Sequence, residues 1–472
     1  MLPIVLLSVF GIVLLFLGFL KSKAVLLPAA LLFLLITLAA NFLDWNKSYL
    51  YFNDMLRTNN LSMIFTAIVL GSAFMVVALS SSFIEDESAQ PAEYYALILF
   101  SLVGAIMMVS FENLIMLFVG VEILSVAMYV LTGSDKRNLR SNEAALKYFL
   151  MGAFATGIML FGMALLYGAT GSFTLAGLDS YTANPQAGLS LLIYVGLLML
   201  LIGLLFKVSA APFHFWTPDV YDGAPTIFTA FMSTVVKTAG FAALFRLLSV
   251  SFEGVYSFWW VILAIITAIT LVIGNITAAY QNSFKRMMAY SSISHAGYLL
   301  IGLAALGAQT KQAIVFYSLA YSVATISAFG VLLLVAQQRS TQTFSSEGAS
   351  DGVTSENFDA FNGLARKNPL LGFAMAVSML SLAGIPLTAG FWGKFYMFST
   401  AVERGQIWLL VVAVLMSAVG IYYYFRVIIA MYFREGALEP IRVAPFYRYV
   451  LLAATILTLG LGIAPGLLQG LF

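Results

Sequence analysis

The sequence has no cysteine, only two histidines (His214 and His295) and only 9% charged residues. Without thiols, this chain cannot carry iron-sulfur clusters, thiolate zinc sites or disulfides. The histidines fall in different apolar runs, and nothing in the sequence pairs them as haem ligands. No GxGxxG or GxxxxGKS/T pattern occurs, so a nucleotide cofactor finds no phosphate-binding motif. The net charge of +2 provides no basic surface for nucleic acid. A soluble domain would carry about 25% charged residues, so water is not the solvent for most of this chain.

What the sequence does have is apolar length. Hydrophobic residues make up 61%, in runs of about twenty, the length that crosses a ~30 Å hydrocarbon core as helix. Read between charges, Pro and Gly, the chain predicts an all-α polytopic membrane protein of about fourteen transmembrane helices. The first run, MLPIVLLSVFGIVLLFLGFLKSK, has no positive charge before it and no small-residue cleavage site after it. It reads as a retained span anchored by Lys21 and Lys23.

Basic residues are distributed unevenly between the loops. Loops after odd-numbered spans hold most of them, including Lys136, Arg137, Arg140, Lys285, Arg286, Arg366, Lys367 and Arg434. Loops after even-numbered spans hold Lys47, Arg57, Arg246, Lys311 and Arg404. The positive-inside rule then makes the odd loops cytoplasmic and puts both termini on the other side. The acidic loop with Glu85, Asp86, Glu87 and Glu93 does not disturb this, because acidic residues contribute little to the rule. The polar stretch from Gln337 to Asn368 reads as a mobile cytoplasmic connector, with Phe358, Phe361 and Leu364 spaced for a short surface helix.

Two spans are interrupted. The seventh, 189–217, meets Ala210-Ala211-Pro212, and the twelfth, 369–402, meets Gly384-Ile385-Pro386. Proline removes a backbone donor, and the freed polar backbone must be buried in protein or line a cavity. Gly240-Phe-Ala-Ala-Leu-Phe-Arg also reads like Gly420-Ile-Tyr-Tyr-Tyr-Phe-Arg, five spans later. An odd number of crossings inverts the second copy. The expected organisation is a three-helix segment at 1–90, a first repeat at 91–250, a second inverted repeat at 251–435 and a final helix at 436–472.

Ionisable residues inside apolar runs cost about 2.5 to 3.5 kcal/mol each at mid-span, so they mark function by default. Here they are Glu122, Lys207, Lys237, His295 and Lys394. Lys207 and Lys394 flank the breaks, while Lys237 lies mid-run in FMSTVVKTAGF with no break beside it. Bringing a lysine from its ordinary ~10.4 to proton exchange at pH 7 takes about 4.6 kcal/mol, which removal from water can supply. A movable Glu122–Lys207 pair would switch the lysine between holding and releasing its proton. The structural alternatives are lysines that bond freed carbonyls, a static counter-ion at Glu122 and a packed core histidine at His295. His214, beside Trp216 and Asp219, reads as a cavity wall or interface residue. Glu112 sits at a span boundary, where it would be structural or guard a proton path. Arg426 is close enough to a span end to snorkel.

Four segments carry a resemblance: SNEAALKYFLMGAF (Ser141 to Phe154), FKVSAAPFHFWTPDVYDGAPT (Phe206 to Thr226), KRMMAYSSISHAGYLLIGL (Lys285 to Leu303) and SLAGIPLTAGFWGKFYMF (Ser381 to Phe398). Together they resemble the subunit N family of proton-pumping NADH:quinone oxidoreductase, respiratory complex I, over roughly Phe111 to Phe433. The resemblance implies an antiporter-like fold with inverted five-helix repeats and two discontinuous helices. It implies one proton relay through Glu122, Lys207, Lys237, His295 and Lys394, with a neighbouring antiporter-like subunit and other membrane subunits as partners in a bacterial inner membrane. It further implies no cofactor on this chain, with NADH, FMN, iron-sulfur clusters and quinone held by partner subunits. Asp222, where the family more often has Glu, and Ser294, where it often has Ala, are small departures. Two other readings compete: a subunit of a multisubunit sodium/proton antiporter, which shares the fold, and a scaffold that pumps nothing.

Overall fold

The computed structural model describes residues 1–80, 91–183, 189–345, 356–436 and 440–471. In hydrocarbon, each backbone donor and acceptor must be satisfied within its own segment, and helix does this locally. The chain begins with α1 (Leu2–Leu17), α2 (Leu26–Asn41) and α3 (Asn60–Ala78). It continues with α4 (Pro91–Ser110), α5 (Leu114–Thr132), α6 (Leu139–Thr170), α7 (Leu191–Lys207), α8 (Trp216–Gly223) and α9 (Thr226–Ser251). Next come α10 (Tyr256–Ala279), α11 (Phe284–Ala305), α12 (Thr310–Ser345), α13 (Pro369–Ala383) and α14 (Ala389–Glu403). The last two are α15 (Ile407–Phe433) and α16 (Pro445–Ile463). Among the described residues, ten helices are long and apolar enough to cross a membrane, and α1, α7 and α13 are shorter apolar helices.

The polar ends of the runs set the helix boundaries. Asn59, Asn113, Asn138, Ser190 and Ser283 each accept a hydrogen bond from a first-turn N–H, meeting donors the helix leaves free. Glycines let backbones approach closely: a Cβ added at Gly162 would lie 2.7 Å from the carbonyl of Gly196, and one at Gly104 would lie 2.6 Å from the carbonyl of Gly120. Close approach through small residues replaces the hydrophobic drive that lipid removes.

The structure corrects the sequence reading in several places. Among the described residues, the helices are joined by one strand pair, a hairpin of β1 (Tyr49–Tyr51) and β2 (Leu56–Thr58) between α2 and α3. The eighth span is not regular, because Met232–Val236 forms a π-helical turn that leads directly into Lys237. Each of the three intramembrane lysines therefore has a helix irregularity beside it. The 337–368 connector is less loop-like than its composition suggests. α12 extends to Ser345, and the short helix expected around Phe358 is there, as a 3-10 turn at Phe358–Phe361 followed by a helical turn at Leu364–Lys367, but Phe358, Phe361 and Leu364 are buried, the two rings against Phe284. Residues 346–355, and the acidic loop around Glu85, lie outside the described residues. Arg246 and Lys285, assigned to loops above, are 5% and 3% exposed. Arg246 binds Glu112, and Lys285 donates to the carbonyl of Ala224 and to Glu356.

The repeat is visible in its backbone weave. Before α5, the N–H of Leu114 donates to Phe173 and that of Leu175 donates to Glu112, at 2.9 and 3.0 Å. Before α11, the N–H of Phe284 donates to Glu356 and that of Phe358 donates to Asn282, at 2.8 and 3.3 Å. The chain crosses the bilayer five times between the two weaves, so they lie on opposite faces. The arginine match has the same meaning: Arg246 reaches Glu112 in the first weave, and Arg426 reaches the carbonyls of Ala279 and Gln281 in the second, at 2.9 and 3.0 Å. Arg57 of β2 also approaches Glu112, at 3.3 Å, and so ties the hairpin to the repeat.

Truncating Glu112 strands a buried guanidinium, a change that costs about 3–5 kcal/mol. Glu112→Ala is therefore expected to lower the thermal unfolding midpoint of the detergent-solubilised protein clearly, and Arg57→Ala, which removes the more exposed partner, to lower it much less.

Candidate functional site

Each intramembrane cation is held by oxygen. Lys207 is the last residue of α7, and the chain then turns through Ser209 at φ 64 before α8 begins. Its ammonium donates to the Ser125 hydroxyl on α5 at 2.7 Å and lies 5.7 Å from the centre of the Tyr148 ring on α6. At the break itself, the N–H of Ala211 is met by Thr270 of α10 at 2.9 Å. Glu122 sits one turn before Ser125. It forms no ion pair with Lys207, and its buried Oε1 has no hydrogen-bond partner. The structure thus shows the proposed pair separated, with Ser125 taking the ammonium.

Lys237 follows the π-helical turn of α9 and donates to the backbone carbonyl of Ser292 on α11. The neighbouring Ser291 shares a hydrogen bond with the Tyr424 hydroxyl of α15, and Tyr424 lies 3.0 Å from Nε2 of His295. Nδ1 of His295 lies 2.7 Å from the Tyr317 hydroxyl of α12. A hydrogen-bonded row therefore runs from Ser291 through Tyr424 and His295 to Tyr317, linking α11, α15 and α12, and Lys237 of α9 is seated on the carbonyl of the residue next to Ser291. Lys237 and His295 are only 2% and 4% exposed.

Lys394 lies one turn into α14 and reaches back across the second break. It donates to the carbonyl of Ala383, the last residue of α13, at 2.8 Å and to Ser417 of α15 at 2.9 Å. Its ammonium stands 4.6 Å from the centre of the Tyr298 ring, a cation–π contact that helps hold charge in apolar surroundings. Gly384 ends α13 at φ 83, and a Cβ there would meet the Lys394 stem at 2.8 Å. The reach of Lys394 requires glycine at this position.

Of the five residues singled out in the sequence, His295 belongs to the connected row and Lys237 sits beside its Ser291 end. Glu122 and Lys207 form a separate group on α5 and α7, and Lys394 forms a third at the second break. His214 is buried in the 208–215 link, its ring 4.6 Å from that of Phe215 and tilted by 31°. The sequence reading missed Ser125, Tyr148, Ser291, Tyr317, Ser417 and Tyr424. Their signal was hydroxyl side chains inside apolar runs, weaker than charge because serine and threonine hydroxyls commonly bond their own helix backbone. Among the described residues, no three His, Cys, Asp or Glu side chains come together to hold a metal ion.

Comparison with known proteins places this arrangement. Residues 112–420 match the family model described as the membrane domain of NADH:quinone oxidoreductase and Mrp antiporters. The chain belongs to this family. It is 42% identical to NADH-quinone oxidoreductase subunit N of Trichlorobacter lovleyi over 440 residues, covering 93% of this chain and 88% of that one. Its fold is similar to a chain of respiratory complex I from Thermus thermophilus, with TM-score 0.82 and 36% identity over 99% of this chain and 98% of the other. A chain of the Mrp complex from Dietzia sp. shares the fold at TM-score 0.82 and 20% identity, covering 99% and 94%. The family's antiporter-like membrane architecture, with its discontinuous helices, is the one seen here.

Tyr424→Phe removes the hydroxyl that joins Ser291 to His295 and leaves both without that partner. A lost buried hydrogen bond of this kind costs about 1–3 kcal/mol. The variant is expected to fold, to unfold at a lower temperature than the parent by circular dichroism in detergent, and to regain part of the loss from a second Ser291→Ala change, which removes the stranded hydroxyl.

Proposed function

We propose that this chain carries protons across the membrane as an antiporter-like subunit of a quinone-reducing respiratory complex. In this reading NADH, flavin, iron-sulfur clusters and quinone act in partner subunits, and Glu122, Lys207, Lys237, His295 and Lys394 form the relay. The proposed orientation puts both termini on the non-cytoplasmic side, as the basic loops suggest.

The single observation that carries this reading is His295, buried between two tyrosine hydroxyls. A neutral imidazole has one donor and one acceptor nitrogen, and a tyrosine hydroxyl can do both. A proton received at Nε2 from the Tyr424 side can be matched by one released at Nδ1 toward Tyr317, after which the tautomer and hydroxyls reset. Lys237 supplies or accepts charge at one end of this row through its seat on α11. Lys207 has two possible partners on α5: Ser125, which it holds now, and Glu122, one turn away. Moving the ammonium from the hydroxyl to the carboxylate would favour its charged form, and moving it back would favour release. A static scaffold has no need of an imidazole aligned between two exchangeable hydroxyls, because burying polar groups costs stability unless every one is satisfied.

In vesicles holding the assembled complex, Lys207→Ala and Lys237→Ala are each expected to lower the number of protons moved per electron. The measurement is acidification against NADH oxidation. An unchanged ratio in both variants would sink the relay and favour the scaffold reading.

A further inference from the structure

The three intramembrane lysines differ in what stands near them. Lys207 is seated on a serine one turn from a carboxylate, and Lys237 takes a carbonyl of α11. Lys394, 5% exposed, is placed differently. α14 packs against α11, α12, α13, α15 and α16, and none of those helices contains an aspartate or a glutamate. The acid on α14 itself, Glu403, lies nine residues further along, ~13 Å by helical rise. Among the described residues, two groups accept hydrogen bonds from the Lys394 ammonium: the Ala383 carbonyl at 2.8 Å and the Ser417 hydroxyl at 2.9 Å. The carbonyl is backbone, fixed by the end of α13. Ser417 is the side chain of the pair.

The repeat sets Ser417 apart from other hydroxyls. Gly240 and Arg246 of α9 match Gly420 and Arg426 of α15, and three residues before the glycine stands Lys237 in the first copy and Ser417 in the second. The second copy therefore presents a hydroxyl where the first presents an ammonium. A lysine there would put two like charges within hydrogen-bond reach, which disfavours the charged form of both. Ser417 also lies two turns from Tyr424, on the same face of α15. One face of that helix thus seats Lys394 and bonds His295.

We propose that Ser417 is a positioning residue for proton carriage: its hydroxyl is the seat that keeps the Lys394 ammonium charged where no carboxylate does so. The proposal rests on the proton-carrying reading above and adds a residue to it. A hydrogen bond accepted from an ammonium favours the charged form. A neutral hydroxyl does this less strongly than a carboxylate, so it loads the lysine without trapping the proton. Without Ser417 the ammonium keeps one carbonyl and the Tyr298 ring, and more acid is needed to load it. The titratable groups around Lys394 are Tyr298 and His295 of α11, Tyr317 of α12 beside Gly393, and Tyr424 of α15. α13 has none, and Tyr447, Arg448 and Tyr449 of α16 stand in its first turn, at the opposite end from Gly462, which meets Leu387 at the break.

The test counts protons moved per electron across a range of pH, in sealed vesicles that hold the assembled complex at equal pH on both sides. Ser417→Ala removes the hydroxyl. Ser417→Cys keeps the size but offers only a weak acceptor, and it carries the test if the alanine variant fails to assemble. Ser417→Thr restores the hydroxyl. In the alanine and cysteine variants the pH at which the ratio falls to half its plateau is expected to lie about one to two units below the parent's. The threonine variant should superimpose on the parent. A merely structural role for Ser417 lowers the ratio equally at every pH and is not relieved by acid. That result, a profile identical to the parent's in the alanine and cysteine variants, or a threonine variant that behaves like alanine would each overturn the proposal. Lys394→Ala, measured beside them, separates the two readings. If it keeps the parent's ratio, the relay fails at Lys394; if it lowers the ratio while Ser417→Ala leaves the profile in place, only the seat fails.

Discussion

An ammonium group in hydrocarbon has to be given oxygen, and the positions of those oxygens organise this molecule. Lys207, Lys237 and Lys394 are each surrounded by apolar side chains and each finds a hydroxyl, a carbonyl or both. A charge at this depth is costly even on the lenient scale, about 2.5 to 3.5 kcal/mol. A helix offers an ammonium only the second lone pair of a carbonyl already bonded within it, as Ser292 of α11 does for Lys237. The breaks at 208–215 and after Ala383, and the π-helical turn before Lys237, loosen the backbone where the cations lie. Irregularity and lysine stand side by side at all three places, and at the second break they form one device, because the last carbonyl of α13 holds the Lys394 ammonium.

That device also explains how the two repeats differ in use. Their backbone weaves are alike, and an arginine stands at each, Arg246 on the Glu112 carboxylate and Arg426 on two backbone carbonyls. Their contents are not alike. The first repeat holds its lysine before its break, against a serine and within a turn of a carboxylate. The second repeat holds its lysine after its break, against the last carbonyl of the preceding helix, and adds a histidine set between tyrosines. Lys237 stands on the last helix of the first repeat and bonds α11 of the second.

Much of this was legible in the sequence, for identifiable reasons. Apolar length gave the helices, because nothing else satisfies a backbone in lipid. Pro212 and Pro386 gave the two breaks. Gly240 to Arg246 and Gly420 to Arg426 gave the repeat, because both arginines must end a span beside a weave. The π-helical turn before Lys237 was not legible, because it removes no donor and needs no proline. The burial of Arg246 was hidden by its place near a span end, where snorkelling is the default, and its partner Glu112 lies far away in sequence. The tyrosines around His295 were hidden by their number: with 23 tyrosines in the chain, only the fold tells which four meet the imidazole. Tyr298, Tyr317, Tyr321 and Tyr424 do.

The central claim is that Lys237 must be able to give up its proton and not merely carry charge. Lys237→Arg separates these roles, since a guanidinium keeps the charge and the hydrogen bond to Ser292 but does not deprotonate in proteins. The decisive measurement is the number of protons moved per electron by the Lys237→Arg complex in sealed vesicles, at an NADH oxidation rate sufficient to count them. The account predicts a ratio as low as that of Lys237→Ala. A ratio equal to the parent's would show that positive charge at this position is enough, and would contradict the relay.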